Sequence, residues 1–129
     1  MISSLIRAFG SSSNKTATTW NLVTSPTPEN IFTVAYYNNT FVGATNSSIR
    51  SSDGVTWQLT GQNPAAALGF YGLAYGAGLW VAGTHGGSST YRIFTSSDNG
   101  VTWSPRSSPF VSGDYIFGIA YGNGVFVAQ

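Results

Sequence analysis

The chain of 129 residues has no cysteine, only four acidic residues and no long apolar run. Each lack removes a class of function. Without thiols there is no disulfide scaffold, no cysteine-ligated zinc and no thiol nucleophile. Charged residues make up 7% of the chain, against about 25% in ordinary soluble domains. Ser, Thr, Asn and Gly stand in their place, a neutral hydroxyl-rich surface of the kind found on extracellular and virion proteins. The five basic residues, Arg7, Lys15, Arg50, Arg92 and Arg106, are scattered and the net charge is +1. Phosphate-driven binding of nucleic acid is therefore not expected. No apolar stretch approaches the length of a membrane span, so no membrane insertion is expected either.

Aromatic residues are plentiful, at 15%, and they recur in phrases. Ser96-Ser97-Asp98-Asn99-Gly100-Val101-Thr102-Trp103 has an earlier near-copy, Ser51-Ser52-Asp53-Gly54-Val55-Thr56-Trp57. A second phrase occurs three times, as Ala35-Tyr36…Phe41-Val42, Ala74-Tyr75…Trp80-Val81 and Ala120-Tyr121…Phe126-Val127. Repetition at this scale marks an array of like modules.

Each module reads as a four-stranded antiparallel meander. Runs 31–37 and 40–45 are rich in β-branched and aromatic residues and flank Asn38-Asn39, which tolerate positive φ. Runs 47–52 and 56–60 flank Asp53-Gly54, another hairpin signal. The second module repeats the plan over 70–76, 79–84, 91–97 and 101–106, with an insertion at 85–89. The third starts at Tyr115, turns at Gly122-Asn123-Gly124 and reaches only its second strand by Gln129. Thr18-Thr19-Trp20 reads as the end of a degraded copy of the first phrase, with its turn at Asn14-Lys15-Thr16-Ala17. The order is then half a module, two full ones and the complementary half. Trp20 to Trp57 is 37 residues and Trp57 to Trp103 is 46, bracketing the roughly 40–45 residues of a four-stranded propeller blade. A longer chain, further copies of this one, or packing of the sheets on a different partner is expected to cover the open array.

At the N-terminus, Ile2, Leu5, Ile6 and Phe9 fall at i, i+3, i+4 and i+7, the spacing of one helix face. Residues 1–10 are accordingly expected to form a short helix or arm, with those four as candidate docking residues, and 11–129 the repeat domain.

Ser96-x-Asp98-x-Gly100-x-Thr102-Trp103 resembles the Asp-box, or BNR repeat, of sialidase-like β-propellers. The copy at Ser51 is one residue shorter between Asp53 and Gly54. The resemblance covers nearly the whole chain after residue 10. It implies an all-β, propeller-like array of four-stranded blades, and a structural role for Ser51, Asp53, Gly54, Thr56, Trp57 and for Ser96, Asp98, Gly100, Thr102, Trp103. The Asp accepts hydrogen bonds from turn amides, Gly supplies positive φ and Trp fills the gap between blades. Trp80 aligns with Phe41 and Phe126, and Tyr36 with Tyr75 and Tyr121, so these aromatics read as core.

Enzymes of that family use an arginine triad, a Tyr-Glu nucleophile pair and an Asp acid. Here Glu29 lies in a turn-like run, Asp53 and Asp98 belong to the repeated turns and Asp114 precedes a strand. Glycoside hydrolysis needs two positioned carboxylates, and no pair is evident. The lone His85 in its Gly-Ser loop reads as a solvated residue. No cofactor and no metal site is expected. The leading expectation is a non-enzymatic structural or adhesion protein of a bacteriophage particle, on a tail fibre, tail tip or capsid surface. Its partners would be other virion proteins or further copies of itself. A lectin-like module holding a host glycan at loops 61–67 and 85–90, with His85, Ser88, Ser89 and Tyr91 as weak candidates, is a second reading; such a module could be secreted or displayed on a cell surface. A third is a fragment of a sialidase-like hydrolase whose catalytic residues lie outside this chain.

Overall fold

The computed structural model describes residues 4–11, 14–62, 69–85, 91–111 and 113–129, the side chains of 4–19 and of Gln62 excepted. The described residues form twelve strands and no helix. β1 (Ser4–Ser11) and β2 (Asn14–Thr24) make an antiparallel pair. β3 (Thr33–Tyr37), β4 (Thr40–Ala44), β5 (Ser47–Ser51) and β6 (Gln58–Gln62) form a four-stranded meander. β7 (Phe70–Gly76), β8 (Leu79–Thr84), β9 (Ile93–Ser96) and β10 (Ser104–Arg106) form a second. β11 (Ile119–Gly122) and β12 (Val125–Ala128) are a final hairpin.

Of the two expected forms of the N-terminal segment, helix or arm, residues 4–11 take the extended one, as strand β1, and form no helix. Ten residues are too few to repay helix nucleation without strong packing. β2, with four Thr residues, offers a ladder instead, with Leu5 opposite Val23 and Ala8 opposite Trp20. The expected turn at Asn14–Ala17 is likewise strand, since the chain has already reversed where Ser11 pairs with Asn14. Of the four docking candidates, Leu5, Ile6 and Phe9 lie on β1, and Ile2 lies outside the described residues.

The repeat is reproduced in register. Tyr36 faces Phe41, Tyr75 faces Trp80 and Tyr121 faces Phe126 across the first hairpin of each unit. Their ring centroids lie 4.4, 5.2 and 4.6 Å apart. The hairpins turn through residue pairs that both have positive φ: Asn38-Asn39, Ala77-Gly78 and Asn123-Gly124. This geometry matches the strand twist and favours Asn and Gly.

The units pack face to face by one rule. Val42 and Ala44 of the first sheet meet Phe70, Leu73, Trp80, Ala82, Phe94 and Trp103 of the second in a single buried cluster. Because side chains alternate across a strand, Leu79, Val81, Ile93 and Thr95 point from the second sheet toward β11 and β12, where Ile119, Phe126 and Ala128 lie. β3 packs on β7 and β7 on β11, so the first strands of successive units are neighbours. Gly76 admits this approach, since a Cβ there would strike the Tyr121 ring. Trp80 is fully buried, as a core residue should be, but Tyr36 is exposed. Its face of the first sheet has no described sheet against it.

Ala77 has φ 48° where the equivalent positions of the other two hairpins carry Asn38 and Asn123. A left-handed alanine costs about 1–2 kcal/mol, and asparagine is better tolerated there. Ala77→Asn is expected to stabilise the fold by about 0.5–1 kcal/mol, read as a raised urea midpoint. An unchanged or lowered midpoint would contradict this.

Candidate functional site

The two repeated phrases form matching hydrogen-bonded turns. The Ser51 hydroxyl donates to Asp53 Oδ1 (2.9 Å) and accepts from the Gly54 amide (2.8 Å). Asp53 Oδ1 also accepts from the amides of Val55 (2.7 Å) and Thr56 (2.8 Å). In the second copy the Ser96 hydroxyl donates to Asp98 Oδ1 (2.7 Å) and accepts from the Gly100 amide (2.9 Å). The Thr102 amide and hydroxyl donate to the two oxygens of Asp98 (2.9 and 2.6 Å). Gly54 and Gly100 have φ of 72° and 78°. Each carboxylate is thus committed to holding its own turn.

The electrostatics follow from these bonds. The amides of Val55 and Thr56, then the Ser51 hydroxyl, hold the exposed Asp53 carboxyl down to about 2. For Asp98 partial burial pushes upward, but the Thr102 hydroxyl and amide, the Ser96 hydroxyl and the Val101 amide together outweigh it, and the carboxyl is lowered. Donors that favour the ionised form act in this direction.

The turns position the tryptophans differently. Trp103, 7% exposed, packs its ring 4.9 Å from Phe70, and its indole N–H donates to Ser48 Oγ of the first sheet at 2.7 Å. Trp57 is half-buried beside Phe41 of its own sheet, 6.1 Å between centroids. Its buried indole nitrogen has no hydrogen-bond partner.

Asp114 also serves a turn, its Oδ2 accepting from the Val111 amide (2.8 Å). Glu29 donates its backbone amide to the Thr27 hydroxyl oxygen (3.2 Å), while its buried Oε2 has no hydrogen-bond partner. No group of three or more potential metal ligands is found among the described residues. Nor, among them, is any helix long and apolar enough to cross a membrane. Arg92, read only as one of five scattered cations, is fully buried and donates to the Val111 carbonyl (3.3 Å).

His85 departs from its expected place in a solvated loop. It directly follows β8, forms an isolated antiparallel bridge to Tyr115, is half-buried, and stacks on Tyr71 at 4.7 Å. Around it runs an aromatic ladder that the sequence reading missed. Phe32, Tyr71 and Phe117 each stand three residues before an Ala-Tyr phrase. Phe32 stacks on Tyr71 (4.2 Å), and Tyr71 meets Phe117 edge-on (5.9 Å). Tyr115 lies nearly parallel to Phe117 at 5.7 Å, and Phe117 is 62% exposed. The shared offset from Ala-Tyr was the signal that could have found it. Tyr91 is exposed, while Ser88 and Ser89 lie outside the described residues, as do positions 63–67 of the other expected loop, whose first two residues belong to β6.

Comparison with known proteins finds no family model that matches the chain and no curated protein that matches it.

Folding lowers both turn carboxyls below their ordinary value of 3.8. A depressed carboxyl contributes stability that is complete above its unfolded pKa and is lost as pH falls through the folded one. Stability is therefore expected to fall between about pH 4 and about pH 2. Asp53→Asn, which keeps an acceptor but not the charge, is expected to flatten that acid limb in urea titrations at several pH values. An unchanged limb would refute the assignment.

Proposed function

We propose that the chain is a non-enzymatic structural and adhesion module of a bacteriophage particle, built as a β-propeller-like array of Asp-box blades. The observation that carries this reading is the pair of uncovered apolar faces at the two ends of the array. Val34, Tyr36 and Leu59 are exposed on one side of the first sheet, and Val125 and Val127 on the outer side of the last hairpin. Isolated apolar side chains at a surface are ordinary, but grouped on strand faces they mark association. The committed carboxylates support the non-enzymatic part. Three of the four carboxylates, Asp53, Asp98 and Asp114, accept hydrogen bonds within their own turns, whereas glycoside hydrolysis uses two positioned carboxyl groups. The low charge and hydroxyl-rich composition fit the exterior of a particle.

Protein mass spectrometry of purified particles is the test, paired with a sialoside hydrolysis assay on the isolated chain. The expected result is a stoichiometric particle component with no turnover. A free, soluble monomer that cleaves sialosides would overturn the proposal.

The aromatic ladder favours a second reading, in which the module also holds a glycan. Exposed rings such as Phe117 and Tyr115 present apolar faces to stack on sugar rings, and the neighbouring His85 supplies a polar group. A glycan array probed with the chain and with Phe117→Ala is the measurement. Binding that disappears in the variant supports the reading, and silence of both removes it.

A further inference from the structure

Positions that hold the fold recur in both four-stranded units: the turn serine, aspartate, glycine and threonine, the tryptophan, and the Tyr–aromatic pair. Arg50 does not recur. Register fixes its counterpart, because Val42 pairs with Arg50 and Arg50 with Gln58, as Val81 pairs with Thr95 and Thr95 with Ser104. Thr40 and Leu79 correspond likewise, each two residues before the paired valine. The second sheet is thus built with Leu79, Thr95 and Ser104 where the first carries Thr40, Arg50 and Gln58. A sheet of this kind does not need a guanidinium at that place.

Arg50 stands on β5, half-buried, close in sequence to the Asp53 turn. With Thr40, Ser51, Ser52, Thr56 and Gln58 it lines a cavity of about 200 Å³, whose lining side chains are all polar and none acidic. Among the described residues, no hydrogen bond, ion pair or ring contact engages the Arg50 side chain. Arg92 and Arg106 differ in this, donating to the Val111 carbonyl and to Thr95 Oγ1. Asp53, the nearest acid in the chain, turns Oδ1 to the Ser51 hydroxyl and to the Val55 and Thr56 amides, and does not line the cavity. The Ser51 hydroxyl is committed to that turn, the Thr56 hydroxyl bonds to Asp53 as well, and the Thr40 hydroxyl donates to the Asn38 carbonyl (3.3 Å). Arg50, Ser52 and Gln58 remain as lining donors whose side chains have no partner among the described residues.

A guanidinium presents its N–H groups in a fixed fork and accepts nothing, so it suits an anion that can take two parallel bonds. One cation without an acid calls for a single negative charge. A carboxylate or a phosphodiester offers two unesterified oxygens, and the fork alone saturates them. A phosphate monoester carries more than one charge near neutral pH. A sulfate monoester has one charge and a third free oxygen, which leaves an acceptor for the Ser52 hydroxyl and the Gln58 carboxamide. We propose that this cavity is a binding site for a sulfate monoester, as borne by a sulfated sugar, held bidentately by Arg50 and completed by Ser52 and Gln58. A single cation falls far short of the basic stripe that nucleic acid requires. The site shares no residue with the aromatic ladder and does not rest on where the module is used.

Titration of the 129-residue chain with methyl sulfate, followed by two-dimensional proton–nitrogen NMR, tests this. Sodium chloride holds the ionic strength constant, so that screening does not vary. Saturable shifts are expected at the Arg50 Nε–H, the Ser52 amide and the Gln58 side-chain amide. Arg50→Gln is expected to weaken binding about 10–100-fold, as when a charge-assisted hydrogen bond is lost. Ser52→Ala and Gln58→Ala, at exposed positions that the fold tolerates, are each expected to weaken it about 2–10-fold. Acetate and dimethyl phosphate, which lack the third oxygen, are expected to bind about 2–10-fold more weakly than methyl sulfate. Arg106→Gln removes an equal charge elsewhere and is expected to leave the affinity unchanged. The same spectra report whether each variant is folded. The inference is overturned by the absence of saturable shifts, by acetate or dimethyl phosphate binding as tightly, or by folded Arg50, Ser52 and Gln58 variants that bind like the wild type. An Arg106→Gln loss equal to that of Arg50→Gln would also overturn it. None of these outcomes bears on whether the chain is found on particles.

Discussion

The insertion of Trp103 between two sheets is the interaction on which the rest of the architecture depends. A lone four-stranded meander buries one face poorly and leaves the other wet. Here a turn at the end of β9 delivers an indole into the seam, where it packs against Phe70 of its own sheet and bonds to Ser48 of the neighbouring one. The indole brings a large apolar area and a single directional donor, so it sets both distance and register between sheets. The turn that presents it must be rigid, and the Ser96–Asp98–Thr102 hydrogen bonds make it so. The carboxylate is therefore a structural part of the seam although it never reaches it.

Cross-seam polar contacts cluster around the same turn. Thr60 Oγ1 lies 3.0 Å from both the Ser48 and Gly100 carbonyls, and the Asn38 amide donates to Asn99 Oδ1 at 3.3 Å. Asn99 Oδ1 also accepts from the Trp80 indole N–H at 3.2 Å. Residues of both sheets thus converge on one loop. At that loop Gly100 is required twice, for its φ of 78° and because Val42 lies within 3.0 Å of any added Cβ.

Much of this was legible in the sequence because the signals were local. Asn38-Asn39, Ala77-Gly78 and Asn123-Gly124 fixed three hairpins, and the bounds of β7 and β8 fell where the β-branched and aromatic runs placed them. What was not legible depended on contacts distant in sequence. The apolar spacing of Ile2, Leu5, Ile6 and Phe9 fits a helix face, but β2 supplies a ladder that no periodicity within ten residues reveals. Tyr36 aligns with the half-buried Tyr75 and Tyr121 yet is exposed, because cover comes from the preceding sheet and not from the residue. The stack of Phe32, Tyr71 and Phe117 joins three units, and only their common offset from Ala-Tyr hints at it. His85 was misplaced for the same reason, since its neighbours Tyr71 and Tyr115 come from other strands.

Repetition therefore has a physical cost as well as an economy. Each unit presents one face that accepts and one that inserts, so an open array leaves one of each uncovered. A globular fold hides its apolar residues by folding back on itself, whereas a stack of like sheets can do so only by closing or by finding a partner. The exposed Val34, Tyr36, Val125 and Val127 are the residue-level form of that constraint. At the internal seam that constraint is met, because Trp103 of the second sheet donates its indole N–H to Ser48 of the first and joins Phe94 in burying Val42.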